Sequence, residues 1–141
     1  MILKPQERRT RRPAFTLMEM LIVVAIIVAL AGIGGFYLFA ALEGAQESTA
    51  LTQVKGPLTQ AVQSYYLNNN HWPQSLDVLL QRDENGKGPY IDNPDALSDP
   101  WKQRYQYDPN GAMNQGMKPD IWTVVQKTGH KIGNWSASMN R

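Results

Sequence analysis

The 141-residue sequence contains no cysteine. That excludes disulfides as a source of stability, thiol nucleophiles, and zinc sites built on thiolate. Histidine is scarce as well. His71 and His130 stand far apart, without the spacing of a metal-ligand pattern. No serine, histidine and acid set announces itself, no Gly-rich phosphate loop follows a strand, and no paired carboxylates occupy a recognisable setting. The expectation is a protein that is not an enzyme and needs no cofactor. A basic patch interleaved with aromatics is also missing beyond the N-terminus, so nucleic acid is not an expected partner. Internal repeats and low-complexity tracts are absent. The most informative gap is one of charge: from Met20 to Leu42 there is none.

That uncharged run is the core of an apolar stretch from Phe15 to Leu42, broken only by Glu19 near its start. As a helix, Met20 to Leu42 spans about 35 Å at ~1.5 Å per residue, enough to cross a bilayer core of roughly 30 Å. Before it lie Lys4, Arg8, Arg9, Arg11 and Arg12, opposed only by Glu7. Cations on one flank of an apolar span stay in the cytoplasm, which predicts an N-in, C-out single pass. The net charge of +2 is therefore a signal of topology.

Glu19 is costly in such a position unless it is hydrated at the headgroups or paired with a cation. If the chain is cut between Ala14 and Phe15, the new α-amine lies four residues away, about 6 Å along a helix. An ammonium that near a carboxylate in a low-dielectric layer is a strong pair, within one chain or between subunits. Farther along, Gly32-Ile33-Gly34-Gly35 gathers poor helix formers, each costing roughly 0.8–1.0 kcal/mol relative to alanine. They serve either close helix packing or a point where the helix can soften.

The segment RRPAFTLMEMLIVVAII resembles the leader and assembly helix of type IV pilin-like proteins: a basic leader, a small residue, Phe, Thr, Leu, an apolar residue, Glu, then a long apolar helix. The resemblance implies cleavage after Ala14 by a prepilin peptidase, N-methylation of Phe15, and a role for Glu19 in subunit registration. Ala14 stands where the family usually has Gly, and Phe36 near where it usually has Pro.

Beyond the apolar run, Leu51, Val54, Leu58, Ala61, Val62 and Tyr65 recur at steps of three and four, predicting a helix with one buried face. Gly56-Pro57 interrupts it and predicts a kink, because the proline ring opposes the carbonyl of Gln53. Asn68-Asn69-Asn70 ends the helix. A short second helix is expected from an N-cap at Ser75, with Asp77 in its first turn and Leu76, Leu79 and Leu80 buried. Arg82 to Pro100 reads as loop. Counting from Asp83, a calcium loop would need Gly88 followed by Glu where Pro94 stands, so a solvated turn is expected there. The other aspartates are likewise expected to be solvated in turns. Tyr105–Tyr107, Ile121–Val125 and Ile132–Trp135 are strand candidates, which yields an α+β domain with a small antiparallel sheet laid on the long helix.

Tyr90-Ile91, Asp99-Pro100-Trp101, Tyr105-Gln106-Tyr107 and Ile132-Gly133-Asn134-Trp135 are similar to segments of the pseudopilins of type II secretion, the major subunit in particular. Lys102 and Arg104 depart from that pattern. The resemblance implies a periplasmic filament subunit in protein secretion. Its implied partners are further copies of itself, minor pseudopilins, the prepilin peptidase, an inner-membrane assembly platform and the lipid bilayer. The expected organisation is a leader over 1–14, a membrane and assembly helix over 15–42, and a periplasmic domain over 43–141. The family's calcium-binding loop before Asn134-Trp135 is acidic and Gly-rich. Here it reads Lys127-Thr128-Gly129-His130-Lys131, and the calcium site is not carried over. A type IV pilin for adhesion, motility or DNA uptake is the first alternative, although the missing cysteine leans against it. A monomeric membrane-anchored binding module is the second.

Overall fold

The computed structural model describes residues 15–136. A helical stretch runs from Leu17 to Asn69. It consists of α1 (Leu17–Gln53), one wide turn at Val54–Leu58, and α2 (Thr59–Asn69). The remainder supplies three short strands: β1 (Gln106–Asp108), β2 (Asp120–Val124) and β3 (Lys131–Gly133). Contacts divide the chain into two units, meeting between Ala40 and Ala41.

The wide turn is how the chain accommodates Pro57. In an α-helix its ring would meet the carbonyl four residues back. Here the local turn is a π-helix with Pro57 inside it, so the helix widens and continues. Thr59 Oγ1 donates to the Val54 carbonyl at 2.6 Å, satisfying an acceptor in the disturbed turn. The expected stripe keeps its phase across the turn: Val54, Leu58, Ala61, Val62 and Tyr65 are all buried. The helix ends as expected, with Asn70 left-handed at φ 61° and its N–H donated to the Tyr66 carbonyl at 2.7 Å.

Antiparallel pairing in the order β1-β2-β3 sets Tyr107 opposite Ile121, and Trp122 opposite Gly133. Alternation along β2 turns Ile121 and Thr123 inward, and Ile121 packs with Val54, Leu58, Leu79 and Tyr105. A smaller cluster joins Ala50 to Val125 and Ile132, flanked by Leu51 and Trp101. The α+β architecture is as the sequence predicts, with each strand within two residues of its expected bounds.

Three local expectations are corrected. Ser75 does not cap an α-helix; it is extended (φ −152°, ψ 162°) and makes no capping bond. The five residues Leu76–Leu80 form a 3-10 turn, too short to gain from α-helical propagation. Leu76 and Leu79 are nevertheless buried, and Asp77 pairs with Arg104 across the surface. The stretch from Arg82 to Pro100 holds a further 3-10 turn, Pro94–Leu97, capped by Asn93, whose side chain accepts from Asp95 N at 2.9 Å. Finally, the aspartates at 99 and 120 are buried, as described below.

Candidate assembly site

The described part of the apolar segment begins with Phe15, outside the helix and exposed. Thr16 follows, and its hydroxyl accepts from the Glu19 backbone N–H at 3.2 Å. This is one half of a T-x-x-E capping arrangement, a pattern present in the sequence from which the cap could have been read. Glu19 lies in the first turn of α1, where the positive end of the helix dipole favours a carboxylate. Ala14, the other half of the expected cleavage site, lies outside the described residues.

From Leu17 to Leu42 the large apolar side chains are exposed, Leu17 at 86% and Phe36 at 74% among them. An uncovered apolar surface of this length is a strong demand for a partner. The helix has the length and composition to cross a membrane. Gly32, Gly34 and Gly35 lie within its helical hydrogen bonding, with open space where a side chain would be.

The other half of the site is what holds the globular unit on its stretch of helix. Three buried or half-buried carboxylates act as knots, and sequence reasoning missed all three. Asp99 Oδ1 accepts from Trp101 N at 2.9 Å and Gln103 N at 2.8 Å, while Oδ2 accepts from the Thr123 hydroxyl. Asp120 Oδ2 accepts from Met113 N at 2.7 Å, and its Oδ1 from Asn114 N at 3.0 Å and Asn114 Nδ2 at 2.7 Å. Asn134 completes the second knot. Its Oδ1 accepts from Asn114 Nδ2 at 2.9 Å and Ile121 N at 3.2 Å, and its Nδ2 donates to the Pro119 carbonyl at 3.0 Å and to Thr59 Oγ1 at 3.4 Å. Thr59 thus joins the proline turn of the helix to the closing Asn-Trp of the sheet. The turn ahead of Asp120 needs Gly111: φ is 63°, and a Cβ there would lie 1.9 Å from the Lys118 carbonyl oxygen.

The third knot is Asp83. Tyr90 Oη and Asn69 Nδ2 donate to Oδ2, the latter at 2.8 Å, and the backbone N–H groups of Asn85 (3.0 Å) and Lys87 (2.8 Å) donate to Oδ1. The Tyr90 hydroxyl is the main cause, with Asn69 and the two N–H groups, that Asp83 is held at about 2, below its ordinary 3.8. A carboxyl depressed in the folded state adds stability that is full above the ordinary value and is lost as pH falls toward 2. In Tyr90→Phe the Asp83 carboxyl is expected to titrate nearer its ordinary value, and unfolding on acidification is expected to begin at higher pH. A carboxyl-detected NMR titration of both proteins checks this. Burial pushes the phenols of Tyr105 and Tyr107 well above their ordinary value, so both remain donors, to Gln53 Oε1 at 2.6 Å and the Pro73 carbonyl at 2.8 Å.

The stretch from within α1 to the end of β3 carries the match to a known family. The family model described as type II secretion system (T2SS), protein G matches residues 37–133. The chain belongs to this family. The type II secretion system core protein G of Vibrio cholerae serotype O1 is 29% identical over 148 positions, covering 92% of this chain and 96% of the relative. Its namesake from Aeromonas hydrophila is 29% identical over 143 positions, with the same coverage. No solved structure gives a significant match. As a protein G pseudopilin, the chain is a structural, non-enzymatic component of protein secretion, the major subunit of the secretion pseudopilus. Its apolar N-terminal helix is consistent with membrane anchoring.

The calcium ion that the family resemblance implies can be tested against the residues present. The β2–β3 turn, Val125 to His130, offers lysine at 127 and no carboxylate. The nearby Asp99 already receives three protein donors. Calcium needs six to eight oxygen ligands, and this donor set does not fit it.

Proposed function

We propose that this pseudopilin is inserted with its N-terminus in the cytoplasm and its domain over 43–141 in the periplasm, anchored in the bacterial inner membrane. It is cut between Ala14 and Phe15 by a prepilin peptidase, N-methylated at Phe15, and assembled by an inner-membrane platform, with minor pseudopilins, into a homopolymeric filament. The observation that carries this reading is the apolar surface of α1, which the described residues leave exposed over Leu17–Leu42. In the bilayer lipid covers that face; in the filament, neighbouring helices do.

Glu19 makes the transfer selective. A carboxylate carried into a helical core unpaired costs several kcal/mol. The helix begins at Leu17, and the amine of a processed Phe15 would lie just ahead of it, within reach of pairing with Glu19 in the same chain or in a neighbouring subunit. The pair fixes register and compensates the charge. Gly32 to Gly35 supply the softness for leaving the bilayer, in a helix that has no proline in that region.

Two measurements test the reading. Intact mass and N-terminal sequence of protein from the native membrane are expected to show methylated Phe15 as the first residue. A chain starting at Met1 in cells with an active peptidase would favour a plain anchor. Glu19→Ala is expected to leave insertion and processing intact and to abolish filaments and secretion; normal secretion by this variant would end the registration argument.

A further inference from the structure

We propose that this pseudopilin closes its sheet without a divalent cation, the Lys127 ammonium tying the β2–β3 turn to Glu43 on α1 at the place where its family's loop is held by calcium. The inference concerns how the domain holds together, and it stands whether or not the chain is processed and assembled as proposed above.

The turn needs no ion to define it. Val125 N donates to the His130 carbonyl at 2.8 Å, and Thr128 N (3.3 Å) and Gly129 N (2.8 Å) both donate back to the Val125 carbonyl. Gly129 takes the left-handed conformation, φ 71°, that lets the chain re-enter β3. Both ends of the turn are seated in apolar contacts, since Val125 and Ile132 pack on Ala50. Across the top, Lys127 Nζ reaches Glu43 Oε1 at 2.7 Å. The cleft beneath is lined by Glu43, Glu47, Trp101, Gln126 and Lys127. A lysine ammonium already supplies the cationic charge there, and a divalent ion would be repelled by it.

The three carboxylates that knot the domain are not available either. Those of Asp83, Asp99 and Asp120 receive their bonds from N–H and O–H donors, and both oxygens of each are engaged. Binding a cation at any of them would turn those donor dipoles toward a positive charge. No three described His, Asp or Glu residues gather where an ion could be held. The knots do by hydrogen bonding what an ion does by ligation: they gather distant backbone segments on a fixed negative charge.

The test uses the full chain in detergent. Thermal unfolding is followed by near-ultraviolet circular dichroism after chelation with EDTA, and again in roughly 10 mM calcium, about ten times the weakest affinity of extracellular calcium modules. The two midpoints are expected to agree within about 1 °C. Occupation of a native site at that concentration would raise Tm by about 6 °C or more. A calcium-dependent rise beyond the expected agreement, or loss of the tertiary signal on chelation, overturns the proposal. Lys127→Gln tests the tie separately. It is expected to lower Tm by about 1–5 °C at low salt, with the gap closing near 1 M NaCl as exposed charges are screened. Equal midpoints at low salt would remove the ammonium from the account.

Discussion

Replacing Asn134 by alanine is expected to cost about 3 kcal/mol of stability and to lower Tm by roughly 12–24 °C. The side chain is 5% exposed, and its four hydrogen bonds join three separate parts of the domain. The largest loss is at Ile121, whose residue is fully buried and whose N–H would lose its side-chain acceptor. A buried donor left without a partner costs about 1–3 kcal/mol, and the vacated volume adds a cavity cost. Asn134→Asp separates the polar effect from the spatial one. It keeps an acceptor, but Asn134 Oδ1 and Asp120 Oδ1 share one amide, at 2.9 and 2.7 Å from Asn114 Nδ2. Two carboxylates that close raise the proton affinity of one of them. A carboxyl raised in the folded state destabilises above its unfolded pKa and is relieved at lower pH. Asn134→Asp is therefore expected to be less destabilised near pH 4 than near pH 7. Urea unfolding at the two pH values checks both substitutions; equal penalties would mean the pair does not interact.

The parts of this fold that could be read from the sequence are those whose physics is local. The uncharged run, the three-and-four spacing from Leu51 to Tyr65 and the asparagines at the helix end each carry their signal within a few residues. What was missed depends on partners far along the chain. Asp99 in an Asp-Pro turn looks solvated until Thr123 is brought to it. Asp120 stands next to a proline and is buried because a turn folds the amides of Met113 and Asn114 over it. Pro57 marks the interruption of the helix in the sequence, and the stripe that keeps its phase favours a continuous helix over a break, but periodicity does not reveal that the turn around Pro57 widens. Asp83 reads in sequence as the start of a solvated turn that runs on to Gly88 and Pro94, whereas two of its four side-chain partners, Asn69 and Tyr90, come from the helix end and the far side of the loop. Phe15 and Glu19 are proposed as assembly residues on a short motif, of which the structure holds the Thr16 cap on the Glu19 N–H.

Gly133→Ala is expected to destabilise by about 3 kcal/mol, although it adds one methyl group. Residue 133 ends β3 opposite Trp122, and the chain then doubles back so that the Trp135 ring lies over the glycine. A Cβ would sit 2.4–2.5 Å from three atoms of that ring. Those atoms belong to a rigid indole that is 3% exposed, so the contact cannot be relieved by turning the end of a flexible chain. Either the strand shifts, breaking the register that Asn134 N holds to the Ile121 carbonyl at 3.0 Å, or the ring leaves its seat. Loss of a buried Trp side chain costs about 3–5 kcal/mol, which bounds the penalty from above. A double-mutant cycle identifies the cause. In a Trp135→Ala background the ring is gone, and Gly133→Ala should cost close to nothing, giving a coupling energy of about 3 kcal/mol between the two sites. Gly44→Ala is the matching control, because nothing lies within 4 Å of its Cβ position. On a helix interior that change should stabilise by about 0.8–1.0 kcal/mol. If Gly133→Ala costs as much without the Trp135 ring as with it, the demand for glycine lies in the β3 backbone, and the closing Gly-Asn-Trp acts through chain conformation instead of through the indole.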